Sequence, residues 1–371
     1  MRGNITVQKI DNQKKVEPKK RDSSIELFRI VTMIVIVAHH YVVNSGLIDL
    51  VGIEPVKWQD IFLMLLGWGG KTGINCFILI TGYFMCQSKI TVKKYMKLFF
   101  ELEFYNIVIY IVFLLTGYVE FSVIGFIKTL IPIYGIGTGF THSYLVFYLL
   151  IPFVNLLIQN MNKKEHINLI VICVSFFSII PTICFVNIPF NYVTWFIVIY
   201  LIAAFIRIYP NDRFDNKTVW KIGLIISLVL SWGSIILGMT VGKWLGHPFG
   251  YYFVSDSNKI LAVITSICAF MFFKNLKIKY SKLVNVIASS SFGVLLIHSN
   301  SDVMRKWLWE DMFKNVKYYN SNCLVVHAII TIILIYTICT VIDILRIQMI
   351  EKPFFDVFDK MMMKINCKRG E

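Results

Sequence analysis

The sequence predicts an all-α polytopic membrane protein: about ten transmembrane helices with both termini cytoplasmic. Of its 371 residues, 57% are hydrophobic and only 16% charged, against roughly half and a quarter in an ordinary globular domain. Apolar runs of the ~17–25 residues that cross a bilayer recur along almost the whole length. The basic residues gather in short clusters between those runs, as in loops that face the cytoplasm. A formal charge of +15 would suit nucleic acid if it formed one patch. Dispersed between apolar runs it sets topology instead, so the expected partner is the lipid bilayer and not nucleic acid. The eight cysteines show no paired spacing, and Cys76, Cys173, Cys184, Cys268 and Cys339 lie inside apolar runs. That argues against a disulfide framework or a metal site and for small packing residues.

Hydropathy and turn signals place the spans near 25–44, 62–86, 97–117, 142–159, 166–186, 192–209, 219–240, 257–274, 283–300 and 324–346. The first follows a polar, basic arm (1–22) with no small-residue cleavage site, and is read as an uncleaved span. In the second, Gly69, Gly70 and Gly73 surround Lys71, an irregular entry that protein must cover. KITVKK joins it to the third, where Lys97 and Glu101, four apart, are expected to pair along one helix. NKKEH joins the fourth to the fifth. RIYPNDRFDNK joins the sixth, which ends on Arg207 in an anchoring position, to the seventh. KNLKIKYSK joins the eighth to the ninth, and Asp343 and Arg346 are expected to pair near the end of the tenth. A basic tail (349–371) follows the membrane domain (23–348). Leaving out Arg29, 27 Lys and Arg fall on the side of the N-terminus and nine on the other. The excess puts both termini in the cytoplasm, and an odd number of spans would spoil it. The expected location is the cell membrane. The oligomeric state is open.

The first span reads LFRIVTMIVIVAHHY from Leu27 to Tyr41. Arg29 and His40 are eleven residues apart, about 16 Å along a helix and almost back at the same angle. Asp22, Glu26, Met33 and Asn44 share their stripe, whereas His39 points about 100° away. Arg29 alone could snorkel to the headgroups and His40 could sit at the outer interface. Both aligned with Glu26 fit a cavity that spares the charges from lipid. His39, His40, His142, His247, His298 and His327 all fall at outer helix ends or outer loops; only His166 is cytoplasmic. A side chain that accepts and returns protons near neutrality is thus concentrated at one mouth of the bundle.

Glu26, Arg29 and His40 on the first span, GINCFILITGYF (Gly73–Phe84), YLVFYLLIPFVN (Tyr144–Asn155), WFIVIYLIAAFIR (Trp195–Arg207) and SFGVLLIHSN (Ser291–Asn300) together resemble, in order, the acyltransferase family 3 membrane proteins of polysaccharide type. The resemblance covers residues 22 to 356. It implies ten helices and transfer of an acyl group, usually acetyl, onto sugars of a surface or exported glycan or its lipid-linked precursor. The donor it implies is cytoplasmic acyl-CoA, a co-substrate rather than a tightly bound cofactor, and no metal is expected. It also implies that Arg29 and His40 are essential, His40 as general base or transient acyl carrier and Arg29, with Glu26, binding donor phosphate or fixing geometry. Two arginines three apart after the second span of many members are replaced here by Lys94 and Lys97, which could still hold CoA phosphates as point charges. A usual tryptophan is replaced by His142, Ser143 and Tyr144. His142, Tyr144, His298 and Asn300 are the candidates for holding sugar hydroxyls. The alternative is a proton-coupled carrier or flippase of lipid-linked sugars, but the internal symmetry common in carriers is missing.

Overall fold

In the computed structural model the chain is helical, with no strand among the described residues, which are 21–51, 56–131, 139–186, 188–245 and 249–369. The helices are α1 (Ser23–Val43), α2 (Trp58–Gly67), α3 (Gly70–Met85), α4 (Val92–Leu115), α5 (Val123–Leu130), α6 (Phe140–Gln159), α7 (Lys163–Val174) and α8 (Ile180–Ile183). They continue with α9 (Tyr192–Ile208), α10 (Lys217–Leu245), α11 (Ile260–Lys274), α12 (Lys282–Ser289), α13 (Ser291–His298), α14 (Asp302–Lys306), α15 (Leu324–Arg346) and α16 (Lys352–Arg369). Each expected apolar segment coincides with a helix or a pair of helices. Seven stretches are long and apolar enough to cross a bilayer, including Trp58–Met85 across the α2–α3 break and Leu324–Met363. An eighth arises if Lys282–His298 and Asp302–Tyr318, bent by 94°, form one span. The shortfall from ten falls on α9 and α11, apolar helices of 17 and 15 residues. Protein rather than lipid surrounds most of α9: Trp195, Phe196, Ile199 and Tyr200 are all buried.

Helix α1 is the central pillar, packed against α2, α3, α11, α12, α13 and α15. Its start is set by one local cap and by two hydrogen bonds from a segment far along the chain. The Asp22 carboxylate caps it by accepting from Ser24 N at 2.9 Å. Ser23 and Ser24 hydroxyls then accept from the backbone N–H of Ser281 and Ile278, both at 2.9 Å. These bonds fix the level of α1 against the entry to α12. In α3, Asn75 is fully buried: its Nδ2 donates to Ser257 O at 2.7 Å and its Oδ1 accepts from Trp195 Nε1 at 2.9 Å. One amide therefore ties α3 to α9 and to the loop before α11.

Where α4 meets α15, an ion cluster replaces the intrahelical pairs. Arg346 donates to Asp343 at 2.8 Å and to Glu351 at 2.8 Å, and its Nη2 lies 3.1 Å from Glu101. The Asp343–Arg346 pair is as its spacing predicts. Lys97 and Glu101 do not pair with each other: Lys97 turns to Glu351 at 3.2 Å. An exposed i,i+4 pair contributes only a few tenths of a kcal/mol. A buried guanidinium needs carboxylates far more, so it takes Glu101. Gly293 makes room for the cluster, since a Cβ there would meet the Asp343 carboxyl at 2.2 Å. Replacing Arg346 by leucine leaves Asp343 and Glu101 without their cation, and Glu351 with Lys97 alone. The expected cost is about 3–5 kcal/mol, read as a fall in the melting temperature of the detergent-purified protein.

Candidate functional site

His40 and Arg29 open onto separate chambers. The chamber at the His40 end, 720 Å³ in volume, is lined by His39, His40, Lys71, His142, Tyr192, Asn300 and Arg305 among others. The chamber at the Arg29 end, 580 Å³, is lined by Glu26, Arg29, Glu101, Tyr144 and Arg207. The expectation of one shared cleft is corrected: the two residues do share a face, but a layer of side chains lies between them. Phe140 is the one described residue that lines both.

His40 sits in the last turn of α1, with its Nδ1 2.9 Å from Nε2 of His298. His298, at the end of α13, is fully buried, and its Nδ1 lies 2.6 Å from the carbonyl oxygen of Val294. A carbonyl only accepts, so His298 Nδ1 carries the proton and, in the neutral ring, its Nε2 is an acceptor. His40 Nδ1 must then be the donor to it. With both rings neutral, this relay leaves Nε2 of His40 as an unprotonated nitrogen in a residue lining the chamber. The tautomers follow from the hydrogen-bond partners.

His39 keeps its expected angle on α1 but is met there by a second helix. The break between α2 and α3 leaves the carbonyl of Gly67 at a helix end, where such groups lack intrahelical partners, and His39 Nδ1 donates to it at 2.5 Å. Glycine is required at 70, because a Cβ there would lie 2.2 Å from the His39 ring. The glycines around Lys71 thus mark a break inside a span rather than an irregular entry to one. Just past it, Lys71 Nζ donates to the Tyr192 hydroxyl at 2.8 Å and lies 3.6 Å from Asp256. Asn300 Nδ2 donates to Asn106 Oδ1 at 3.1 Å. His142 lines this chamber as well, but Tyr144, two residues further along α6, does not.

Tyr144 belongs to the Arg29 chamber. Thr81 donates to Phe77 O at 2.9 Å, so the Tyr144 hydroxyl is the donor to Thr81 Oγ1 at 3.0 Å. Arg29 is loosely engaged: its Nε stands 3.5 Å from Glu26 Oε2 and makes no hydrogen bond among the described residues. Arg207 donates to the Tyr83 hydroxyl at 2.9 Å and to Gln87 Oε1 at 3.1 Å. A third chamber of 1070 Å³ shares Arg21, Glu101 and Ser289 with this one and adds Lys97, Lys282 and Lys352. Lys94 lines none of the three. It is exposed and bonds Ser88 Oγ at 2.9 Å and Lys89 O at 2.8 Å. The three-apart lysines are therefore split, with Lys97 alone facing a chamber.

The pillar helix thus carries Arg29 at one end and a hydrogen-bonded histidine pair at the other. A family model described as an acyltransferase domain, that of acyltransferase family 3, matches residues 22–344. The chain belongs to that family. Neither the curated proteins nor the solved structures contain a match.

Two further histidines of this acyltransferase are structural. His327 Nε2 donates to Phe313 O at 3.2 Å, so its Nδ1 accepts from the Tyr41 hydroxyl at 2.9 Å, and its ring stacks on Tyr318 at 3.7 Å. His166 is buried with Nε2 3.0 Å from Leu201 O. His247 lies outside the described residues. The acyltransferase also lines its chambers with groups that sequence reasoning passed over as site residues: Lys71, Tyr192, Arg207 and Arg305. A lysine inside an apolar run is a legible signal, because such a charge must face protein or water. A tyrosine at the start of an apolar helix is not.

Proposed function

We propose that the protein is an integral membrane O-acyltransferase of ten spans, in the cell membrane, with both termini cytoplasmic. It moves an acyl group, acetyl in the first instance, from cytoplasmic acyl-CoA to a hydroxyl of a surface or exported glycan or of its lipid-linked precursor. The observation that carries this reading is the His40–His298 pair, which leaves a basic nitrogen lining one chamber while arginines and lysines line the chambers at the other end.

The donor carries phosphates, which suit Arg29, Arg207, Lys97 and the neighbouring lysines. The acceptor hydroxyl enters the other chamber, where His142, Asn300, Lys71 and Tyr192 offer hydrogen bonds to sugar. His40 Nε2 takes the hydroxyl proton as that oxygen attacks the thioester carbonyl. The C–S bond then breaks, and the CoA thiolate leaves with the proton returned from the imidazolium. The products are one ester and one free thiol. His40 acting first as acyl acceptor gives the same balance in two steps.

His298 is a positioning residue in this scheme. Substitution by leucine removes the acceptor that orients His40 and is expected to lower kcat roughly 10²-fold at a little-changed donor KM. His298→Gln, whose carbonyl can still accept from Nδ1, is expected to recover part of that loss. Equal losses in both variants would reduce His298 to packing.

The reading itself is tested with purified protein, radiolabelled acetyl-CoA and glycan from a deletion strain. Label is expected in base-labile ester on the glycan, with stoichiometric release of free CoA. Two chambers either side of one partition would also suit a carrier of lipid-linked sugars. A carrier would move the sugar across the membrane and release no CoA.

A further inference from the structure

Four helices change chamber at one level. On α3, Ile74 lines the His40 chamber and Phe77 the Arg29 chamber; on α13, Leu295 and Phe292 divide the same way. On these two helices three residues, about 4.5 Å, separate the linings, so the partition there is one layer of side chains thick. On α1, Met33 stands at this level, fully buried between Arg29 and Ile36. On α6, Phe140 itself lines both chambers. Its ring stacks on Tyr144 at 5.8 Å and meets Phe196 edge-on at 5.5 Å. Tyr144 in turn touches Phe292 at 5.8 Å. Tyr144 is anchored through its hydroxyl to Thr81, whereas Phe140 is half-buried and has no polar tether.

We infer that Phe140 is the acyl-size determinant: the half-buried ring through whose place the acyl-bearing end of the donor must pass to reach His40. This rests on the acyl-transfer reading above. The residues that mark the level, Met33, Ile74, Phe77, Phe140, Phe292 and Leu295, are all uncharged, so the phosphates of a CoA donor stay on the Arg29 side, because stripping them of water at the partition is uncompensated. What crosses is the neutral thioester end. Displacing one aromatic ring admits a short acyl group, and every added methylene must fit past the ring and the fixed Tyr144 and Phe292 beside it.

Two measurements test this. The first compares transfer from acetyl-CoA and hexanoyl-CoA. Phe140→Ala is expected to raise the hexanoyl-to-acetyl ratio at least about tenfold, and Phe140→Trp to lower it. An unchanged ratio in an active Phe140→Ala enzyme overturns the inference and leaves the acyltransferase reading intact. The second needs no activity. Ser289→Cys reports on the Arg29 chamber and Thr141→Cys on the His40 chamber. Each is added to a background without native cysteines and treated with a membrane-impermeant thiol reagent from whichever face modifies Thr141→Cys. From that face Ser289→Cys is expected to react slowly when Phe140 is present and at least about tenfold faster with Phe140→Ala. Equal rates show that Phe140 is no barrier and also overturn the inference. Failure of both acyl-CoA donors with wild-type protein, with Ser289→Cys still shielded by Phe140, removes the acyl-transfer reading instead.

Discussion

Replacing His40 by alanine is expected to lower acyl transfer by 10²- to 10⁴-fold, the range that a positioned acid–base group supplies, while the protein still inserts and purifies in normal yield. The retained fold is argued from the contacts. His40 is only half-buried and lines a chamber, and among the described residues its one hydrogen bond is to His298. Loss of the ring enlarges a space that is already open instead of creating a cavity in a packed core. The buried groups that fix α1, the Ser23 and Ser24 hydroxyls and the Tyr41–His327 pair, are untouched. Near-normal transfer by this variant removes the base assignment. Single-turnover labelling without acceptor separates the two roles of His40. An acyl carrier accumulates labelled protein that disappears in His40→Gln, whereas a base accumulates none.

The second large effect is expected at Arg29. Its Nε has no hydrogen-bond partner among the described residues and stands 3.5 Å from Glu26, so the guanidinium retains donors for a ligand in the chamber. A charge-assisted hydrogen bond contributes about 1.5–3 kcal/mol, and the planar fork is lost in lysine. Arg29→Lys is accordingly expected to raise the donor KM roughly 10- to 100-fold, with a smaller effect on the acceptor. A lysine variant with normal donor KM would make Arg29 a structural cation for Glu26. Arg207 provides the internal comparison: its Nη1 and Nε already donate to Tyr83 and Gln87, so its replacement should disturb stability as well as donor binding.

Lys94 and Lys97 show how far spacing reaches. Three residues apart, they share a helix face by geometry alone, yet one bonds the loop beside it and the other is drawn to Glu351 by a cluster whose members lie on α4, α15 and the turn after it. Pairing across helices outweighs pairing along one, because the buried guanidinium of Arg346 has the most to lose. The same holds for His39. Its helical angle is the expected one, but the break after Gly67 and the missing Cβ at Gly70 turn a second helix toward it.

The all-α membrane architecture, the family and the shared face of Arg29 and His40 follow from the order of residues alone, because apolar run length, basic clusters and the 3.6-residue turn are local properties. The bringing of His298 from α13 to within hydrogen-bonding reach of His40, the capture of Glu101 by Arg346 and the division of the interior at Phe140 were decided only when the helices packed. Each depends on groups far apart in the chain, whose relative height and rotation are set by close contacts between helices, and no periodicity in a single segment encodes that.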